Sequence, residues 1–295
     1  VIGIYTGGLT LSCAGGYFIA APLAAEYGWR SGILWTSLPA FVAAWMVFRF
    51  VQEAPGNAHI ITGQSVRQEQ QEVSVAGRPA PEGGYQGPTL ITVGYMGHMW
   101  ELYAFWGWIG PFMVACAMAA GYPRLEAVAL GGKLAALIIL LGVPAVSIFG
   151  FVADRWGRCK TIFLCAVLSL SAQMFFGWLY GSPMVLVTLA GLWIGFWIVS
   201  DSGIFKAGLT EMTHVSIRST ALGIQSAAGY LMTIVSPAFF GWLLERLNHG
   251  NTDPLTAVHW GIPFAMLGVG ALLAPGAAYF LNRNPQASLM ADGKK

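Results

Sequence analysis

Long apolar runs separated by short polar turns set the pattern of this chain. No Asp, Glu, Lys or Arg occurs in residues 1–25, 31–48, 102–123, 134–153, 161–200, 219–244 or 260–282. Each run approaches or exceeds the ~20 residues with which a helix crosses a bilayer, and 161–200 is long enough for two. Barrel strands would instead alternate apolar and polar positions over ~10 residues. A helix also satisfies every backbone group within its own segment, as lipid demands. The pattern therefore predicts an all-α polytopic bundle of eight membrane helices, near 1–25, 32–51, 89–119, 126–151, 160–180, 183–205, 219–244 and 259–281.

One long polar interval, Gln52 to Pro88, is rich in Gln, Gly, Pro and Glu and poor in large apolar residues. Such a composition buries too little surface to offset chain entropy, so a mobile connector is expected between two helices and six. If this interval is cytoplasmic, alternation places Arg49, Arg67, Arg78, Arg155, Arg158, Lys160, Lys206, Arg218, Arg283, Lys294 and Lys295 inside. Only Arg30, Arg124 and Arg246 fall outside, with Lys133 just within the membrane. This is the asymmetry of the positive-inside rule.

Composition agrees with a membrane protein. The chain is 56% hydrophobic and 9% charged, with a mean hydropathy of +0.62, where a soluble domain carries about 25% charge. A net charge of +2 argues neither for nor against nucleic acid. Cys13, Cys116, Cys159 and Cys165 form no C-x-x-C pair, so neither a metal site nor a disulfide framework is expected. Val1 already lies in an apolar run with no basic leader, which reads as part of a longer protein rather than as a signal peptide.

The most specific stretch is Gly150 to Lys160, GFVADRWGRCK. Its Gly150 and Gly157 permit a sharp reversal, and Asp154 can cap a helix or pair with a cation. Arg155, Arg158 and Lys160 suit an anionic cytoplasmic face. Taken alone, the stretch is either a gating loop or a basic topology anchor. The spacing of Gly150, Asp154, Arg155, Gly157, Arg158 and Lys160 resembles the loop signature G-x-x-x-D-R-x-G-R-[RK]-[RK] of the major facilitator superfamily of secondary transporters. Cys159 stands where that signature has a basic residue.

The resemblance implies two six-helix halves, of which this chain is similar to helices five to twelve. Residues 1–51 then hold the last two helices of the first half, 52–88 the central cytoplasmic loop, 89–282 the second half and 283–295 a cytoplasmic tail. Gly28-Trp29-Arg30 resembles the turn between helices five and six, and Glu53-Ala54-Pro55 the segment after helix six. The antiporter motif of helix five is represented only by Gly15, Gly16 and Ala21-Pro22, so antiport is not inferred. A repeat is echoed in Gly15-Gly16-Tyr17 with Pro22, against Gly229-Tyr230 with Pro237. In the family, the loop at 150–160 latches one conformation and releases it.

Ionisable residues inside the apolar runs are candidates for function. Glu101 falls ~18 Å into its helix from the cytoplasmic end, and His98, three residues earlier, shares its face. Lys133 matches the depth of Glu101 and is expected to pair with it; a snorkelling Lys or a purely structural pair is the alternative. Asp201, flanked by Ser200 and Ser202, is placed near a cytoplasmic helix end, with Arg218 as its expected partner, either as an inner gate or as a helix-end polar cluster. Trp100 to Trp108, with Tyr103, Phe105 and Trp106, suits a cavity wall or an interface belt. Gln173 and Gln225 are expected to bond neighbouring helices.

These readings predict a secondary transporter of a small solute, working by alternating access. No G-x-x-x-x-G-K-[ST] loop occurs, so coupling to an ion gradient, most simply protons, is expected. A solute sensor on the same fold is the first alternative. An intramembrane enzyme is the second, but His59, His214, His249 and His259 fall in loops or at helix ends, leaving His98 without a second His or Cys nearby. No cofactor, metal, nucleic acid or obligate protein partner is expected, and the bilayer is the surrounding medium. The resemblance implies a multi-pass protein of a cell membrane, the bacterial inner membrane, with 52–88 and the C-terminus cytoplasmic.

Overall fold

A computed structural model describes residues 2–51 and 84–294, of which the side chains of Ile2, Ile4 and Tyr5 are left aside. Most of the predicted connector, with Glu53-Ala54-Pro55, His59, Arg67 and Arg78, lies outside the described residues, as does Lys295. Among the described residues there is no strand, and eight helical spans are long and apolar enough to cross a membrane. They are Thr6–Tyr27, Trp29–Phe50, Gln86–Ala119, Arg124–Trp156, Arg158–Leu179, Met184–Met212, Val215–Leu247 and Gly261–Arg283. Large apolar side chains such as Leu34, Trp45, Phe48, Val185, Ile234 and Phe280 are exposed. In water such a surface would aggregate; with these span lengths it is the exterior of a multi-pass membrane protein.

The helices are α1 (Ile2–Tyr27), α2 (Trp29–Phe50), α3 (Gln86–Ala119), α4 (Arg124–Leu140), α5 (Gly142–Trp156) and α6 (Arg158–Phe176). They continue as α7 (Met184–Trp197), α8 (Ser202–Met212), α9 (Val215–Leu247), α10 (Gly261–Ala271) and α11 (Leu273–Arg283). Three spans are thus interrupted, at Leu141, at Ile198–Asp201 and at Leu272. The sixth span runs on to Met212 rather than stopping near 205. Its extra turns bury Leu209 and Met212, and Glu211 finds a cation.

Glycines set the closeness of these helices, as expected where lipid supplies no hydrophobic drive for association. A methyl group at Gly195 of α7 would lie 2.1 Å from the Ile138 carbonyl of α4, and one at Gly131 of α4 would meet the Val114 backbone of α3 at 2.6 Å. Gly3 and Gly7 carry α1 across Val146 and Val143 of α5. The central α3 packs on α4, α9 and α11. Near its C-terminal half, Phe112 meets Phe176, Trp260 and Phe264 with centroids 4.9, 5.2 and 5.0 Å apart, all fully buried. Tilted and edge-on rings of this kind favour a fixed geometry. Tyr17 of α1 donates to the Trp106 carbonyl at 2.6 Å, while Tyr230 of α9 meets Tyr103 at 6.3 Å. Both tyrosines of the sequence echo therefore contact the same helix.

Buried polar clusters and a charged network at one end of the spans

His98 and Glu101 sit near the middle of the 34-residue α3, one turn apart and facing inward, at 2% and 3% exposure. They do not bond each other. Ser169 of α6 donates to Glu101 Oε1 at 2.6 Å. His98 Nδ1 lies 2.9 Å from Asp201 Oδ1, and its Nε2 lies 2.7 Å from Ser202 Oγ. A carboxylate accepts only, so Nδ1 carries the proton. In the neutral ring Nε2 then accepts from the Ser202 hydroxyl; in the charged ring it donates to it. Tyr95 and Phe205 close over the imidazole at centroid distances of 6.1 and 5.5 Å.

Asp201 reaches this site because its span is broken there. Residues 198–201 form turns rather than helix, with bonds from Ser200 N to Trp197 O and from Ser202 N to Val199 O. The site corrects three expectations. Asp201 is not at a helix end by the cytoplasm but well inside its span, 3% exposed, and its partner is His98 rather than Arg218, whose Nη2 donates to the Thr213 carbonyl. Lys133 is exposed and does not pair with Glu101; matched depth did not put the two side chains on facing sides of their helices. Gln225 Nε2 reaches the Phe205 carbonyl at 3.4 Å, as expected of a helix-helix bond, but neither side-chain atom of Gln173 has a hydrogen-bond partner among the described residues.

The aromatic stretch divides. Tyr103 is half-buried between Trp106 and Tyr230. Trp108 donates to the Pro237 carbonyl at 3.0 Å and stacks on Phe240 at 5.0 Å, which makes it a tie between α3 and α9. Ser169 was not anticipated. Its signal was present: Cys165, Ser169 and Gln173 recur every four residues as a stripe of polar side chains on an apolar helix, and all three are buried.

A second cluster gathers at the other charged feature. The stretch 150–160 is mostly helix, not a long turn: α5 runs through Trp156, and the whole reversal is Gly157, at φ 113° and ψ 147°. Gly150 is helical, with open space where a methyl group would stand. Arg158 is the hub, bonding Glu211 through Nε at 3.2 Å and Nη2 at 2.7 Å, and Asp154 through Nη1 at 2.5 Å. Glu211 Oε2 also accepts from the Ala291 amide at 3.0 Å, and Lys294 Nζ donates to the Asp154 carbonyl at 3.2 Å. Arg155 lies instead over the Phe151 ring, and Lys160 is exposed outside the network.

The chain beyond α11 completes this end. Gln286, 2% exposed, accepts from the Gly87 amide at 2.6 Å and donates to the Gly84 carbonyl at 2.7 Å, joining the tail to the start of α3. Among the described residues no group of His, Cys, Asp and Glu is arranged to hold a metal ion. No protein-family model and no curated protein matches this chain.

Proposed function

We propose that the protein is a secondary transporter of a small solute, coupled to protons and working by alternating access. The observation that supports this reading is the buried chain His98–Asp201 with Ser202, alongside Glu101 with Ser169, midway through the spans. Ionisable groups so deep are costly and mark ion pathways in membrane proteins. Two carboxyl groups and an imidazole, with no Lys or Arg among the described residues in contact with them, can take up and release protons. The helix break that carries Asp201 suits this role too, since non-helical backbone at membrane depth characteristically lines a substrate or ion site.

In this reading the chain is similar to helices five to twelve of the major facilitator type, with 52–88 as the loop between halves and that face cytoplasmic. Arg158, Asp154 and Glu211 then latch one conformation at the cytoplasmic end, and the solute reaches the opposite side of α3 from a cavity shared with the other half. Tyr103 of α3 and Tyr230 of α9 contribute aromatic wall to that cavity. Lys133 is exposed and makes no ion pair with Glu101, so this reading assigns it no part in coupling.

The test uses vesicles holding the protein and a trapped pH-sensitive dye, challenged with panels of sugars, organic anions and organic cations. At least one solute class is expected to drive proton movement. Glu101→Gln is expected to abolish that movement while leaving solute counterflow intact. Binding without flux across all panels would make the protein a sensor, and unchanged proton coupling in Glu101→Gln would remove Glu101 from the pathway.

A further inference from the structure

Lys160 is left out of the Arg158 network, and its surroundings supply a different use for it. Between α6 and the end of α11 runs an open groove of about 350 Å³. Its deeper part is walled by Phe163, Val167 and Leu168, and its mouth holds Trp156, Lys160 and Asn282. From Lys160 to Leu168 is a little over two helical turns, ~12 Å along the axis. The groove thus starts where three spans end, at Trp156, Arg158 and Arg283, and runs into the membrane. Phe163, Val167 and Tyr279 are 44%, 40% and 45% exposed, so it opens on the lipid side of the bundle.

The mouth is cationic. Lys160 lines it, and the Arg283 guanidinium stacks 4.2 Å above the ring of Tyr279, another lining residue. Neither cation makes an ion pair among the described residues, and no acidic residue lines the groove. Asn282 lines the groove beside them. An apolar trough below two cations matches the acyl chain and the phosphate of a single molecule.

We infer that this groove binds an anionic glycerophospholipid. One acyl chain lies along Phe163 to Leu168, and the phosphate meets Lys160 and Arg283. The site requires only that the spans lie in a membrane and is independent of what the protein transports.

Full-length protein, stripped of lipid in detergent, is titrated with phosphatidylglycerol and phosphatidylcholine of identical chains, with retained lipid read by native mass spectrometry. One phosphatidylglycerol is expected to be kept roughly thirtyfold over phosphatidylcholine, about fivefold for each of the two basic side chains near the phosphate. Lys160 is exposed, so Lys160→Gln should fold normally and cut that preference to about fivefold. Arg124→Gln, at the far end of the span that closes with Trp156, should leave it unchanged. Equal retention of phosphatidylglycerol and phosphatidylcholine overturns the inference, as does an unchanged preference in Lys160→Gln. Displacement of the lipid by inorganic phosphate would reduce the site to a plain anion contact and overturn it equally.

Discussion

Gly157 is the entire link between α5 and α6, and its backbone lies where only glycine is comfortable. Gly157→Ala is expected to cost roughly 1–3 kcal/mol through backbone strain, read as a fall in detergent melting temperature. Gly150→Ala, in helix with open space around it, should be neutral or stabilising by about 0.5–1 kcal/mol. The two glycines of one signature therefore separate by experiment. Gly28 makes a similar one-residue link, at φ 83° and ψ 160°, between α1 and α2. What the sequence carried at this level was chemistry and depth. Glu101 and His98 stood out because an apolar run cannot hide an ionisable residue. Their partners did not, because depth along a helix says nothing about the direction in which a side chain points around it. Lys133 failed on that ground, while Ser169, Asp201 and Ser202 lie 68 to 104 residues from the groups they bond.

Helices obey simpler rules, and their number was readable from apolar runs alone. The breaks within them were not. Ser200-Asp201-Ser202 has the composition of a helix end, and a helix end and an interruption use the same residues for the same backbone reason. Only the imidazole waiting on α3 distinguishes them. Close approach is the other property of these elements that can be tested. Gly195→Ala drives a methyl group into the Ile138 carbonyl, a backbone obstacle that cannot yield as a side chain would. It should cost roughly 1–3 kcal/mol, as overpacking does, and broaden the size-exclusion peak. Gly223→Ala meets nothing within 4 Å and should behave as the parent protein.

Across the molecule, the segment after α11 ties remote parts together. Gln286 joins the tail to the first turn of α3, while Ala291 and Lys294 join it to the ion network around Arg158. Gln286→Ala would leave the Gly87 amide and Gly84 carbonyl without these partners, at a cost of about 1–3 kcal/mol for a buried group left unpaired. Its melting temperature should fall, and a faster amide exchange at Gly84–Gly87 should mark where the loss is felt. Nothing local in the sequence announced this seam, since its two sides are 199 residues apart.

Helix α8 begins at Ser202, which holds the His98 ring, and reaches Glu211, which holds Arg158 and the Ala291 amide, one residue before its end. Eleven residues of helix form a rod ~16 Å long. The buried His98 cluster and the Arg158 network share no side chain, yet they grip opposite ends of one lever. A tilt of α8 that loosens the imidazole contact at its inner end must swing Glu211 against Arg158 at the other, so a reporter attached beside Glu211 would register events at a ring it never touches.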